Sequence, residues 1–345
     1  MWPGWWPRPL RSRRRLRRPW KSSRRKSPAS GVIGAPDVAD RLGEEEGMAS
    51  RVEVTYFTDP YCSWCWATEP MLYRMRETFR DQVRIRYVMG GLVRDMAEFY
   101  DALNDIRTAA QVAPHWRMVS QRSGQPIDEG LWLELDDPHF STWPACIAVK
   151  AAFLQGEEIG ERLLRRFRRA ALTERRNISQ REVQEELARE VEGLDLARWR
   201  VDLENGRAAR AFEEDLEECR RYGVTGFPTL LFRYVGSVAV PGAQRPVLVV
   251  GHRAYATYRE VLRRLAPTLK EHPPRAIEEL LRIYGPLTTR ELAEIYGRDL
   301  PGMREAMEAL EREGRARRIP VPGGEFWASP TASPEPAESD PRLQN

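Results

Sequence analysis

Residues Arg51 to Phe57 (RVEVTYF) are β-branched and aromatic, and Asp59-Pro60 breaks the run, so a strand is predicted there. Helical spacing of apolar positions from Trp66 to Phe79 predicts a helix next. Gln82 to Val88 (QVRIRYV) alternates apolar and polar residues like a second strand, closed by Gly90-Gly91. Strand, helix, strand is a βαβ unit, whose helix crosses over between parallel strands. From about Asp95 to Arg221 the pattern is helical, with turns at Gly124-Gln125-Pro126, Asp136-Asp137-Pro138 and Gly193. Ser179 and Glu182 have capping-box spacing for one of these helices. Strand patterns return at Thr229 to Val235 and Val247 to Val250, followed by a helix from about Tyr255 to Leu269. Together these predict an α/β fold, one sheet interrupted by a large helical insertion over about residues 95–221.

His272-Pro273-Pro274 marks a linker at the end of this unit, which spans residues 51–270. Three short helices are predicted beyond it, at Ala276 to Tyr284, Thr289 to Tyr296 and Gly302 to Glu313, with Thr288 and Glu291 spaced as a capping box for the second. Arg315 to Val321 and Glu325 to Ala328, joined through Pro322-Gly323-Gly324, pattern as a hairpin. Three helices and a hairpin make a winged-helix-like pattern, a small C-terminal domain over residues 275–328. Residues 329–345 are rich in Pro, Ser and Glu and are expected to be a disordered tail.

Composition adds three constraints. An apolar fraction of 41% suits a globular protein, and no apolar stretch reaches the roughly 18 to 20 residues that span a bilayer. Residues 1–47 hold 12 Lys and Arg against 5 Asp and Glu, leaving +7 there and, from the chain's +4, −3 for the rest. That Arg/Trp-rich stretch lacks the apolar core of a secretory signal and is expected to be disordered. Its chemistry could bind nucleic acid or anionic lipid, or synthesis could begin near Met48 and omit it. Arginine outnumbers lysine 51 to 4, which reads as codon bias of a GC-rich genome more than as a basic surface.

Four cysteines in 345 residues do not make a disulfide framework. Cys146 and Cys219 stand alone and read as buried thiols. Cys62-Ser63-Trp64-Cys65 differs, because it opens a helix. Backbone N–H groups there stabilise negative charge, so Cys62 is expected to have a lowered pKa and to attack as the thiolate. Cys65 lies one helical turn on, on the same side, and would resolve the mixed disulfide. Zinc ligation and a purely structural pair are the rival readings. A closed zinc site needs four N/S ligands, and no second C-x-x-C or H-x-H cluster accompanies this one. No metal and no cofactor are therefore expected.

Tyr56 to Pro70 (YFTDPYCSWCWATEP) resembles the active-site segment of DsbA-like thiol oxidoreductases of the thioredoxin superfamily, especially the branch with D-P-x-C-x-W-C. That resemblance implies a thioredoxin-like fold with a helical insertion. Gly223 to Thr229 (GVTGFPT) is similar to the family's cis-proline loop. It implies a cis Phe227–Pro228 peptide and a substrate-binding role for Thr225, Gly226, Phe227 and Pro228. Ser141 to Gly156 (STWPACIAVKAAFLQG) and Glu174 to Ser179 (ERRNIS) resemble the SpxH group of bacterial cytosolic proteins, adaptors that present a transcription regulator to the ClpXP protease. Many DsbA and thioredoxin proteins also carry a buried acid six residues before the first cysteine, for proton transfer to the resolving thiol. Tyr56 stands there instead, so slow turnover or redox sensing becomes a reading of its own.

Trp64, between the cysteines, is expected to be the more exposed tryptophan and to touch substrate, whereas Trp66 reads as core. Asp59 and Glu69 lie near the pair but not at the acid's position. His115 and His139 could serve acid/base chemistry, although single histidines are ordinarily structural or solvated. The third helix of the C-terminal pattern, Arg304 to Glu313 (REAMEALERE), is dominated by glutamate, a poor phosphate footprint, so a protein partner is expected there rather than nucleic acid. The functional expectation is a cytoplasmic thiol-disulfide oxidoreductase, Cys62 nucleophilic and Cys65 resolving, acting on protein or small thiol and disulfide substrates. The alternatives are an adaptor with a protease or regulator as partner, and a redox sensor.

Overall fold

The computed structural model describes residues 51–101, 104–236 and 245–330; the tail over residues 1–47 and almost all of that over residues 329–345 lie outside the described residues. β1 (Val52–Thr58), α1 (Ser63–Phe79) and β2 (Val83–Met89) form the βαβ unit, with β1 and β2 parallel. The insertion supplies α2 (Ala109–Ser123), α3 (Gly130–Glu134), α4 (Trp143–Phe153), α5 (Glu157–Thr173), α6 (Arg181–Arg189), α7 (Leu196–Glu204) and α8 (Arg207–Arg221). β3 (Thr229–Tyr234), β4 (Val247–Val250) and α9 (Tyr255–Leu265) complete the first unit, in sheet order β2-β1-β3-β4 with β3 antiparallel to both neighbours. This is a thioredoxin-like fold with a helical insertion.

Six of the seven residues of β1 are buried, because α1 and α9 cover one face of the sheet and the insertion covers the other. Val54, Met75, Phe79, Ile85, Phe232 and Leu262 build the first layer. Trp116, Phe167 and Trp199 centre the second. Residues 179–182 depart from expectation. α6 starts after Gln180 with no side-chain cap, and Ser179 instead donates its N–H to the Tyr61 hydroxyl at 2.8 Å. A tertiary partner has taken the group that local spacing assigned to a cap.

The rest of the chain gives α10 (Ile277–Tyr284), β5 (Leu287–Thr288), α11 (Thr289–Tyr296), α12 (Leu300–Arg312), β6 (Arg317–Val321) and β7 (Gly324–Ala328), with a small sheet in the order β5-β7-β6. Thr288 and Glu291 do form their capping box. The segment at 272–274 is not a free tether: His272 N–H donates to the Thr78 carbonyl at 2.8 Å, and Arg80 holds the Pro273 carbonyl at 3.2 Å. Phe326 packs near Trp66, ring centroids 6.2 Å apart, and joins the core of the insertion.

Pro70 in the middle of α1 explains how this module docks. Proline has no N–H, so the carbonyl one turn back, that of Trp66, loses its helical partner. Gln125 donates to that carbonyl at 3.3 Å, donates to Glu291 at 3.1 Å and accepts from the Thr288 hydroxyl at 2.6 Å. Arg165 grips Glu291 with two bonds, at 2.7 and 2.8 Å, and also bonds Glu69 of α1. Gln125 and Glu291 are both fully buried. One buried polar network, in which Arg165 Nε alone lacks a partner, thus joins α1, the insertion and the C-terminal module.

Candidate functional site: the cysteine pair and its groove

Cys62 is the N-cap of α1, and its sulfur accepts the Cys65 N–H at 3.2 Å. The strand-to-helix turn that places it is organised by Asp59. This carboxylate is fully buried and accepts from the N–H of Tyr61 at 2.9 Å, the N–H of Leu92 at 2.7 Å and the Thr142 hydroxyl at 2.8 Å. The Cys146 thiol donates a fourth bond at 3.3 Å. Burial raises the Asp59 carboxyl above the usual range despite these donors. Tyr61, the residue before Cys62, bonds Asn177 at 2.8 Å and Ser179 at 2.8 Å through its hydroxyl. The Trp-Pro-Ala-Cys helix start and the segment at 174–179 are therefore both walls of the cysteine turn, which their spacing in the chain did not indicate.

Behind the pair, Tyr56 holds the place of the absent acid. Its hydroxyl donates to the Cys65 carbonyl at 3.1 Å, and burial pushes its pKa far above the ordinary tyrosine value, so it stays neutral. The charges in this layer are an ion pair. Arg168, fully buried on α5, bonds Glu69 and the Thr58 hydroxyl and lies 5.8 Å from the centre of the Tyr56 ring.

The two thiols are unequal, and in the opposite sense to the expectation of an acidified Cys62. Burial pushes the Cys62 thiol well up, and its hydrogen bond to Cys65 and the charge there push it further. Burial works against the Cys65 thiolate too, but the hydrogen bond from Cys62, the Arg168 charge and the Thr58 hydroxyl outweigh it and hold Cys65 below its ordinary value. The physical reason is placement. Cys62 is only 5% exposed and has one N–H donor, whereas Cys65 is fully buried on the side of the Arg168 charge.

Facing the pair, the Phe227–Pro228 peptide is cis, and Thr229 donates its hydroxyl to the Gly226 carbonyl at 2.8 Å. Thr225 is exposed, Gly226 and Phe227 are half-buried, and Pro228 is buried. The Phe227 ring lies over Gly90, where an added Cβ would sit 1.9 Å from its Cζ, so only glycine fits. Trp66 is fully buried and donates to the Pro126 carbonyl at 3.0 Å, whereas Trp64 is half-buried. Trp64 stands between His252, at 5.4 Å, and His115, at 6.5 Å between ring centroids. His139 lies elsewhere, exposed and paired with Asp95 at 3.1 Å. His252 is the residue that sequence reasoning missed. The Thr68 hydroxyl donates to the Trp64 carbonyl at 2.8 Å, so it accepts from His252 Nδ1–H at 3.0 Å, leaving Nε2 as the basic nitrogen. Burial lowers the pKa of both His115 and His252.

Cys146 and Cys219 are buried thiols, the second pushed up to about 12 by burial. Among the described residues no group of three or more His, Cys, Asp or Glu side chains could hold a metal ion, and no helix is long and apolar enough to cross a membrane. A cavity of about 200 Å³ lies behind α1, lined by Glu69, Arg76, Glu161, Arg165 and Arg168, away from the cysteine sulfurs.

A thioredoxin family model matches residues 56–259, which is more than half of the chain. The chain is 27% identical over 290 residues to a Halalkalibacterium halodurans protein named ClpXP adapter protein SpxH, covering 84% of this chain and 92% of that one. It is likewise 27% identical over 281 residues to the Bacillus subtilis protein of the same name, covering 81% and 89% of the two chains. A solved structure described as a putative protein disulfide isomerase from Nitrosomonas europaea superposes with a TM-score of 0.50 at 23% identity, covering 64% of this chain and 97% of that one.

Proposed function

This chain belongs to the thioredoxin family, and from that premise we propose that it carries out thiol-disulfide exchange on protein substrates through Cys62 and Cys65. The observation that carries the reading is geometric: Cys62 is the N-cap of α1, its sulfur accepts the Cys65 N–H at 3.2 Å, and the cis Phe227–Pro228 peptide lies beside the pair. As Cys62 attacks a substrate disulfide, its proton passes to Cys65, an S–S bond forms to the substrate, and one substrate thiolate leaves. Cys65 then loses that proton and attacks the Cys62 sulfur. The Cys62–Cys65 bond forms, the second substrate sulfur leaves with the proton, and two electrons have passed to the substrate. The reverse sequence oxidises a dithiol. Trp64, Thr225, Gly226, Phe227 and Pro228 line the groove that holds the substrate chain. Insulin reduction by the wild type and by Cys62→Ser tests this: equal rates would end the exchange reading.

A second reading, an adaptor that holds a client without turnover, is favoured by a separate observation. The likeness to the proteins named as ClpXP adapters runs over 84% of the chain, far beyond the cysteine turn, and Cys62 is only 5% exposed. The C-terminal module suits a protein partner, since its Arg315 is paired with Glu278 and Glu313 and its Arg318 with Glu308 and Glu311. A cytoplasmic setting belongs to the same proposal and rests on the resemblance to the SpxH group. Cys65→Ala should trap substrates as mixed disulfides through Cys62. Partners retained equally by a variant lacking both cysteines would favour the adaptor.

A further inference from the structure

The two walls of the groove are tied together by a run of hydrogen bonds that passes through one histidine. On one side, β4 lies beside the Pro228 segment, with Val250 paired to Thr229, and the Gly251 N–H donates to the Pro228 carbonyl at 2.8 Å. Gly251 has a left-handed backbone, φ +77°, which turns the chain out of the strand. His252 follows, and its Nδ1–H donates to the Thr68 hydroxyl at 3.0 Å. That hydroxyl, fully buried on α1, donates to the Trp64 carbonyl between the two cysteines at 2.8 Å. The Arg253 N–H holds the same segment to the Tyr258 hydroxyl of α9 at 3.2 Å. The His252 ring also lies against the Trp64 indole, tilted by 31°. The charged groups around His252 are Arg253 of its own segment and Arg290 and Glu294 of α11, which pair with each other at 2.6 Å. His115 of α2 reaches Trp64 as well.

We propose that His252 is a positioning residue for the exchange reaction: its bond to Thr68 holds Trp64 and the cysteine turn at a fixed spacing from the Pro228 segment, so that the groove is formed before a substrate chain arrives. The inference deepens the exchange reading and rests on it. His252 transfers no proton and no electron in this role. A hydroxyl has one proton, and that of Thr68 goes to the Trp64 carbonyl, so the bridge requires the imidazole proton on Nδ1. A hydrogen bond of this kind sets which ring nitrogen is protonated, so the tautomer is a signature of the bridge. Without the bridge, the substrate itself has to order Trp64, and ordering one such side chain weakens binding about two- to tenfold. The loss falls on binding and leaves the sulfur chemistry to the cysteines.

Two measurements on the full-length protein test this. The first is the kinetics of insulin reduction with dithiothreitol as the electron donor. His252→Phe keeps a ring against Trp64 but has no donor, and it should raise KM about two- to tenfold while changing kcat less. His252→Asn places an amide N–H close to the position of Nδ1 and should restore most of the wild-type KM. A histidine needed only for stability would lower the active fraction, and with it kcat, without separating Asn from Phe in KM. Thr68→Val should match His252→Phe, and the double variant should be no worse than either single one. An unchanged KM in His252→Phe, equal KM values for Asn and Phe, or additive effects in the double variant overturn the proposal. The second measurement is 15N NMR of protein labelled at its four histidines, at about pH 8, above the ordinary histidine range. The signals lost in His252→Asn should report a protonated Nδ1 and a bare Nε2, and Thr68→Val should release the proton to Nε2. A wild-type His252 protonated on Nε2 overturns the proposal whatever the kinetics. Failure of the exchange reading would look different: Cys62→Ser would reduce insulin as fast as the wild type while the His252 tautomer still followed Thr68.

Discussion

Glu291→Ala should be among the most destabilising single changes in this chain, although Glu291 lies more than two hundred residues from the cysteines. Its carboxylate is fully buried and accepts two bonds from Arg165, one from Gln125 at 3.1 Å and one from the Thr288 N–H at 2.8 Å. Truncation leaves Arg165 with Glu69 as its one carboxylate, beside the Pro286 carbonyl, and opens the capping box that starts α11. Breaking a buried ion pair by removing one partner costs about 3 to 5 kcal/mol. The lost cap is worth about 1 kcal/mol, and the two are not additive because the same carboxylate makes both. A total loss of at least about 3 kcal/mol is therefore expected. Glu291→Gln should cost less, since its amide oxygen can still accept one or two of the four bonds. Glu260→Ala is the control, because its partner Arg264 and Glu260 itself are 67% and 57% exposed and such pairs contribute at most about 1 kcal/mol. Urea unfolding should be followed by far-UV circular dichroism and tryptophan fluorescence, since Trp66 in α1 and Trp327 in β7 report the two modules. Coincident transitions shifted together are expected. If Glu291→Ala cost no more than Glu260→Ala, the network would not be what joins the C-terminal module to the cysteine helix.

Gly90→Ala drives a methyl group into the Phe227 ring, and overpacking of this kind costs about 1 to 3 kcal/mol. Exchange activity should fall further than stability, because the displaced ring lies beside Pro228; unchanged rates of insulin reduction would count against the groove assignment. Asp59→Asn cannot accept all four donors around the buried carboxylate and should cost about 1 to 3 kcal/mol, read as a drop in urea midpoint. His252 has a folded pKa lowered by burial, with Arg290 and Arg253 adding to it, so its contribution is complete above the unfolded value of about 6.5 and is lost as pH falls through the folded value. Wild-type stability should accordingly decline more steeply than that of His252→Gln below about pH 6.5. Parallel curves would rule out that linkage.

Local patterns carried most of the architecture. Each strand and helix of the sheet unit follows from alternation or helical spacing over a few residues, and Thr288 with Glu291 forms the cap that its spacing predicts. Ser179 and Glu182 have the same spacing and form none, because Tyr61 reaches Ser179 from 118 residues away in sequence. Residues that act through distant partners were the ones hidden. Asp59 was set aside for lying at the wrong offset from Cys62, yet its four donors come from three separate segments. Arg168 was hidden by composition: with 51 arginines in the chain, no single one stands out. A local signal did exist, because Leu164, Phe167 and Ala171 are buried on α5 and position 168 falls within their stripe. A charge on the apolar face of a helix requires a partner, and in a sheet unit where α1 carries a buried Glu69 the candidates are few. Position relative to a motif found the two cysteines. Finding the buried ion pair behind them required the fold, because Arg168 is separated from its carboxylate, Glu69, by 99 residues of sequence.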